Sequence, residues 1–271
     1  MPELPEVETV VQTLKKLILD RTIIKVEVLW ENIIDKIEVI DFKEKVKNQK
    51  IKDIHRQGKI IIFELDDYFM LSHLRMEGKY YYSKQPKIDK HSHVIFYLDN
   101  DMYLIYNDVR KFGKISLVKK ELLMTHPYLL KLAKEPFNMS KEELFNSLSK
   151  SNKAIKTVLL DQNILAGLGN IYVDEVLFLS KIHPETPAKS ITLKQSQDII
   201  NNSIITLNKA ISLGGTTIRS YTSSLGVTGK FQNELNVHTK KDEPCINCGS
   251  KIIKIKVNGR GSYLCPNCQK K

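Results

Sequence analysis

The first 244 residues contain no cysteine. All four cysteines lie in the last 27 residues, so a disulfide framework running through the chain is excluded and thiol chemistry is confined to its end. Long apolar runs are also missing. No stretch approaches the ~20 residues that a membrane span needs, and the acidic opening with Glu3, Glu6 and Glu8 does not resemble a secretory signal. Internal repeats and low-complexity tracts are absent. Acidic charge is the remaining shortfall. Against 42 Lys+Arg there are 31 Asp+Glu, a formal net charge of +11 and a pI near 9.3. That excess suits a polyanionic partner, either nucleic acid or an anionic membrane surface, although lysines also serve as ordinary solvated surface. Without a span or a signal, the expectation is a cytoplasmic protein that handles nucleic acid. At 271 residues and 42% hydrophobic, the chain has material for two domains with real cores.

What is present begins with Met1-Pro2-Glu3-Leu4-Pro5-Glu6-Val7-Glu8. Met1 stands before a small residue and is expected to be trimmed, leaving Pro2 with a free secondary amine. An α-amino group has a pKa of about 8, so an appreciable fraction is neutral and nucleophilic near neutral pH. Glu3 is close enough in sequence to move protons. The plainer reading is that Pro5 occupies the first turn of a helix whose acidic residues complement the dipole. Val7, Val10, Val11, Leu14, Leu17 and Ile18 do recur at helical steps, predicting an amphipathic helix over residues 5–19. Such a helix would hold the terminus still.

Short β-rich runs follow at residues 22–29, 50–56, 59–65, 68–73, 79–82, 94–98, 102–106 and 114–118. With no helix expected between them, they predict an antiparallel sandwich or barrel. Lys59, just after Gly58, reads by default as a surface lysine. Three segments carry chemistry that packing explains poorly: His73-Leu74-Arg75-Met76-Glu77-Gly78, Lys90-His91-Ser92-His93 and Asp108-Val109-Arg110-Lys111-Phe112-Gly113. Each joins cations or imidazoles to turn residues, a combination suited to gripping a phosphate backbone while pushing side chains into a base stack. A core Met or Phe beside a solvated Arg is the alternative. His91 and His93 lack a nearby carboxylate or cysteine to complete a metal site.

The strand pattern stops near Leu123, and residues 124–139 read as a connection. Helices are expected at 140–148, with Ser140 and Glu143 as a capping box, and at 153–160, 171–179 and 192–213. Leu165-Ala166-Gly167-Leu168-Gly169-Asn170 is a glycine-bearing turn between two of them. It would present backbone amides and Asn170 at a helix start, as a phosphate clamp does, or simply join two packed helices. Residues 216–237 read as a polar, glycine-bearing loop. Finally, Cys245-x2-Cys248 and Cys265-x2-Cys268, separated by sixteen residues, fit four-thiolate Zn²⁺ coordination, whereas paired disulfides do not suit a cytosolic compartment. The alternating run 251–257 and the turn Asn258-Gly259-Arg260 predict a hairpin with Arg260 at its tip, placed against a phosphate or only solvated.

Taken in order, the opening octet, residues 73–78, 108–113 and 167–174 and the four-cysteine hairpin resemble the bacterial formamidopyrimidine-DNA glycosylase (Fpg/MutM) family along essentially the whole chain. The resemblance implies an α+β, two-domain protein. Residues 1–123 would form a catalytic β-sandwich domain opened by a helix, and 140–237 a helical domain with a helix-two-turn-helix and a lesion loop at 217–229. A zinc finger at 238–271 would bind one structural Zn²⁺, and damaged duplex DNA would lie in the cleft of a monomer. It implies a bifunctional glycosylase and AP lyase that excises 8-oxoguanine and ring-opened purines and then nicks the strand by β,δ-elimination. Pro2 would be the nucleophile, Glu3 the proton-transfer group, and Lys59 and Arg260 the aids to elimination. Met76, Arg110 and Phe112 would fill the void left by the extruded nucleotide, while His73, His91, Lys156 and Asn170 would contact the DNA backbone or its cleft. Rival readings are an endonuclease VIII-like enzyme for oxidised pyrimidines and a non-catalytic zinc-ribbon DNA-binding protein. His238-Thr239-Lys240 departs from the family's frequent Tyr-Gly-Arg, and Thr157 replaces a frequent proline.

Overall fold

The structure is a computed structural model that describes residues 1–216 and 228–271. It divides into two compact units, one formed by Met1–Leu130 with the described residues of Gly214–Gly229, the other by Lys131–Leu213 with Lys230–Lys271.

The first unit opens with helix α1 (Leu4–Ile18), one residue earlier than the periodicity predicts. Its buried stripe of Leu4, Val7, Val10, Val11, Leu14 and Ile18 is the expected apolar face. Then come β1 (Thr22–Val28), α2 (Val39–Val46), β2 (Gln49–Lys50), β3 (Asp53–Gln57), β4 (Ile60–Glu64), β5 (Tyr68–His73), β6 (Lys79–Ser83), β7 (Ser92–Leu98), β8 (Tyr103–Asn107) and β9 (Lys114–Lys119). Two sheets result, one ordered β2-β1-β7-β8-β6 and the other β3-β4-β5-β9, with neighbouring strands antiparallel. Their inner faces share one apolar core with α1, including Ile54, Phe63, Met70, Phe96, Leu104 and Tyr106. The sandwich is therefore as expected, but it is not free of helices. The eight residues of α2 interrupt it after β1, burying Phe42 and Val46. The run expected at 50–56 is two short strands that pair with different sheets.

The second unit contains α4 (Lys141–Leu148), α5 (Ile155–Leu159), α6 (Asn170–Leu179) and α7 (Leu193–Ser212), preceded in the chain by the short α3 (Pro127–Leu130) of the first unit. Ser140 and Thr192 cap α4 and α7 in reciprocal boxes with Glu143 and Gln195. The unit ends in a hairpin of β10 (Ile253–Val257) and β11 (Arg260–Leu264). Asn258 and Gly259, both at positive φ (45° and 79°), form its two-residue turn, the conformation for which Asn-Gly is the strongest short signal. No helix among the described residues is long and apolar enough to cross a membrane.

Candidate DNA-processing site

Pro2 is buried beside the exposed Met1, and Glu3 is 3% exposed. The start of α1 is held by Glu6, whose Oε2 accepts the Glu3 N–H at 2.9 Å. Oε1 of the same carboxylate accepts the N–H and the hydroxyl of Thr216 at 2.7 and 3.0 Å. The terminus is therefore anchored to a segment far along the chain, not left to fray.

Lys59 lies in the turn that follows β3. Lys15 pairs with Asp53 at 2.7 Å and Glu8 with Arg56 at 2.7 Å, so β3 runs antiparallel to α1. The seven-residue step on the helix and the three-residue step on the strand both span about 10 Å. β3 ends one residue later at Gln57, and Gly58 and Lys59 form the two-residue turn into β4, at the end of β3 that points toward the start of α1. Gly58 supports the reversal at φ 58°, and Lys59 is 5% exposed, not the surface lysine of the default reading. His73 ends β5 opposite Ile60. Burial, reinforced by the charges of Arg75 and Lys59, pushes its imidazole down to about 3. It is neutral at physiological pH, and its Nδ1 accepts the Arg75 N–H at 3.1 Å.

Asp108 organises the loop that carries Arg110 and Phe112, a role the sequence did not disclose. Its side chain is fully buried and accepts the N–H groups of Arg110, Phe112 and Gly113 at 3.0, 2.9 and 2.7 Å. Its main chain is fixed as well, by the His91 carbonyl at 2.9 Å and the His93 imidazole at 2.8 Å. His93 is thereby a structural residue, while His91 stays partly exposed. Arg110 and Phe112 project outward, with the guanidinium 4.8 Å from the centre of the Phe112 ring, and Phe112 is 51% exposed. Met76 lies half-buried in a second tight turn, closed by the Gly78 N–H on the Leu74 carbonyl at 2.9 Å.

In the second unit Gln162 stitches the glycine-bearing turn, donating to the carbonyls of Leu160 and Leu168 and accepting from Gly167 N–H at 2.9 Å. That turn delivers Asn170 as the first residue of α6. Asn170 donates to the Gly261 carbonyl at 3.2 Å, and its Oδ1 has no hydrogen-bond partner among the described residues. Lys156 differs from the expectation of a DNA-facing lysine. Its side chain is fully buried, and its ammonium lies 2.7 Å from Asp174 and 2.9 Å from the same Gly261 carbonyl. Asp174 also meets His238 Nδ1 at 2.8 Å. Glu175 next to it accepts four N–H groups, from the backbone and side chain of Asn236 and the backbones of Val237 and His238. His238 is thus held by both carboxylates, while Thr239, standing where the family often has glycine, takes a left-handed φ of 69°. These contacts clamp the hairpin from which Arg260 projects, exposed at the first position of β11.

The sulfurs of Cys245, Cys248, Cys265 and Cys268 lie within 4.8 Å of one another. The Cys248–Cys265 and Cys245–Cys268 sulfur separations, 3.4 and 3.9 Å, bracket the about 3.8 Å that four thiolates need at tetrahedral Zn²⁺. Backbone N–H groups of Asn247 and Cys268 point at Cys245 and Cys265 sulfur at 3.4 Å, the charge compensation a thiolate site requires. The set holds one structural zinc ion. The expected lesion loop at 217–229 lies outside the described residues except for Thr228 and Gly229.

Comparison with known proteins covers the chain from end to end. Residues 1–115 match the family described as the formamidopyrimidine-DNA glycosylase N-terminal domain, 132–222 its H2TH domain, and 242–271 the zinc finger found in FPG and IleRS. The chain is 46% identical to the formamidopyrimidine-DNA glycosylase of Cytobacillus firmus, across 99% of this chain and 100% of that one. Identity to the enzyme of the same name from Mycoplasma mobile is also 46%, across 99% of each. Among solved structures, Lactococcus lactis Fpg in complex with abasic-site DNA superposes with a TM-score of 0.94 at 43% identity and full coverage of both chains. MutM in complex with carbocyclic 8-oxo-G DNA gives 0.93 at 43%, again over both full chains.

Proposed function

Because the chain belongs to the formamidopyrimidine-DNA glycosylase family, we propose that it excises oxidised purines, 8-oxoguanine and formamidopyrimidines, from duplex DNA and then cleaves the strand at the resulting site. The observation that carries this reading is the immobilised terminus, with Pro2 and Glu3 buried at the start of α1 and the Glu3 N–H held by Glu6. Removal of Met1 frees the Pro2 nitrogen. Its lone pair bonds to the sugar C1′ as the C1′–N bond breaks, and the base leaves with that electron pair and takes a proton. Glu3 relays the proton from the Pro2 nitrogen to the ring oxygen, which opens the sugar and leaves an iminium between Pro2 and C1′. Loss of a C2′ proton expels the 3′ phosphate, and loss of a further proton expels the 5′ phosphate. Water then hydrolyses the iminium and restores Pro2. Lys59 supports the first elimination, and Arg260 binds phosphate for the second.

The remaining residues bind and deform the duplex. Met76, Arg110 and Phe112 occupy the space of the flipped nucleotide, with Arg110 facing the orphaned base. His73 and His91 meet the backbone in the first unit, Asn170 and Arg260 in the second. Lys156 acts behind them by fixing the Gly261 carbonyl. The zinc ion supplies no chemistry to the reaction, and its four cysteines hold the hairpin that presents Arg260. The substrate is chromosomal DNA, handled as a monomer in the cytoplasm at the nucleoid.

Borohydride added during incubation with an 8-oxoguanine duplex should trap a covalent adduct at Pro2, identified by peptide mass. Pro2→Gly should lose most of the adduct while retaining DNA affinity. Faster trapping on an oxidised pyrimidine would transfer the enzyme to the endonuclease VIII-like reading, and no adduct on either would leave a DNA-binding protein.

A further inference from the structure

Tyr106 lies fully buried in β8, its ring edge-on to Tyr80 at 5.2 Å within the core of the sandwich. Its hydroxyl end reaches the point where two loops meet. A Cβ added to Gly113 would fall 1.7 Å from the Tyr106 oxygen, and one added to Gly78 would fall 2.1 Å from it. Gly78 closes the turn that carries Met76, and Gly113 closes the loop that carries Arg110 and Phe112. Neither glycine sits at positive φ, so neither is required by backbone conformation. Both are required by space, which the Tyr106 oxygen takes at Gly113 and shares with the Leu74 carbonyl, 2.6 Å from the added Cβ, at Gly78. The hydroxyl is therefore in van der Waals contact with the main chain of the two loops at once. Interiors packed at this density transmit displacement instead of absorbing it.

We propose that Tyr106 is a positioning residue for nucleotide extrusion. Its hydroxyl sets the separation of the two loops, so that Met76 from one and Arg110 and Phe112 from the other enter the base stack as a single unit. The inference rests on the reading of those three residues as the void-filling set. Asp108, whose Oδ2 is 3.2 Å from the same added Cβ on Gly113, fixes the internal shape of one loop. Tyr106 fixes its distance from the other, a different function.

The test compares two reactions of the full-length protein under single-turnover conditions. One is excision of 8-oxoguanine from a duplex. The other is borohydride trapping on the same duplex with an abasic site in place of the lesion, where there is no base to extrude. Tyr106→Phe should lower the ratio of excision to trapping about tenfold, and should slow the fluorescence rise of a 2-aminopurine placed beside the lesion, which reports unstacking. A purely structural role would scale both reactions together and leave the ratio unchanged, overturning the inference. Gly113→Ala, which drives a methyl group into the hydroxyl, should lower the ratio by itself. Combined with Tyr106→Phe it should cost less than the product of the two single effects, because the approach to the oxygen at 1.7 Å is replaced by a milder one to the ring Cζ at 2.8 Å. Multiplicative effects would overturn the inference. Phe112→Ala serves as the reference. If it leaves the ratio unchanged, the void-filling reading falls and takes the inference with it. If it lowers the ratio while Tyr106→Phe does not, only the inference falls.

Discussion

Glu6 holds Thr216 by two hydrogen bonds across 210 positions of sequence, the N–H at 2.7 Å and the hydroxyl at 3.0 Å, both to Oε1. The bond from the Glu3 N–H occupies the other oxygen, so one buried carboxylate joins the N-terminus to a distant segment of the same unit. Gly215 makes room for it. At φ 77°, a Cβ there would sit 2.7 Å from Oε1.

Glu6→Gln keeps the size of the side chain but turns one acceptor into a donor facing N–H groups. The variant should lose about 1–3 kcal/mol of stability, the usual cost of an unmet buried partner, measurable by denaturant unfolding. Adduct formation should fall roughly tenfold or more under conditions where the variant is fully folded, since a misplaced nucleophile loses attack geometry. Equal trapping rates would separate Glu6 from the chemistry.

Asp108→Asn should have a different outcome. Its two oxygens accept three backbone N–H groups, and an amide in place of Oδ2 would face Phe112 and Gly113 with the wrong polarity. Excision from duplex should fall by about ten- to a hundredfold as the loop loses its shape, on the basis of roughly 1–3 kcal/mol for the unmet groups. Non-specific DNA affinity at low salt, carried by the phosphate contacts of many cations, should change by less than about threefold. Gel-shift titration beside single-turnover excision distinguishes the two.

His73 provides a pH test. Its imidazole titrates near 6.5 when unfolded and is pushed down to about 3 by burial, then by Arg75 and Lys59. Between those values the unfolded chain binds a proton that the folded chain refuses. The stability associated with neutral His73 is complete above pH 6.5 and is lost as pH falls toward 3. In His73→Asn that loss is absent, so the melting temperature of the wild type should drop relative to the variant from pH 7 to pH 4. A constant difference across that range would mean the imidazole titrates normally.

Lys156 and Arg260 should separate by salt dependence. Lys156→Met removes one partner of a fully buried pair and leaves Asp174 to His238 and the Tyr263 N–H, a loss of about 3–5 kcal/mol in thermal or chemical unfolding. Arg260→Ala should be almost neutral for stability. The slope of log affinity against log salt should fall by about 1 for Arg260→Ala, which deletes a phosphate contact, and stay the same for Lys156→Met. A reduced slope in Lys156→Met would place its ammonium on the DNA.

The elements with one dominant period were legible in the sequence. α1, α4 and α7 show clear apolar stripes and capping residues, and most strands fall within a residue or two of their expected limits. α2 was not legible, because it buries only Phe42 and Val46 and its Ile40 is 71% exposed, so no stripe stands out. The four cysteines were legible because residue type and spacing define their site, whereas the reading of Pro2 and Glu3 came from the family resemblance. The supporting contacts were not legible. Glu6 with Thr216, Lys156 with Gly261, and Tyr106 with its two glycines join positions distant in sequence, and a lysine with no exposed surface contradicts the ordinary behaviour of its type.

The Gly261 carbonyl, which receives both Lys156 and Asn170, belongs to the main chain. No side-chain replacement deletes it, and a substitution at position 261 reports only the crowding against Lys254, whose Cε lies 2.9 Å from an added Cβ. A conventional mutational scan is blind to the acceptor on which the hairpin turns. Its importance is visible only from its donors, as coupling between changes at 156 and 170, or by replacing the single peptide bond that follows Gly261 with one whose carbonyl is a poorer acceptor.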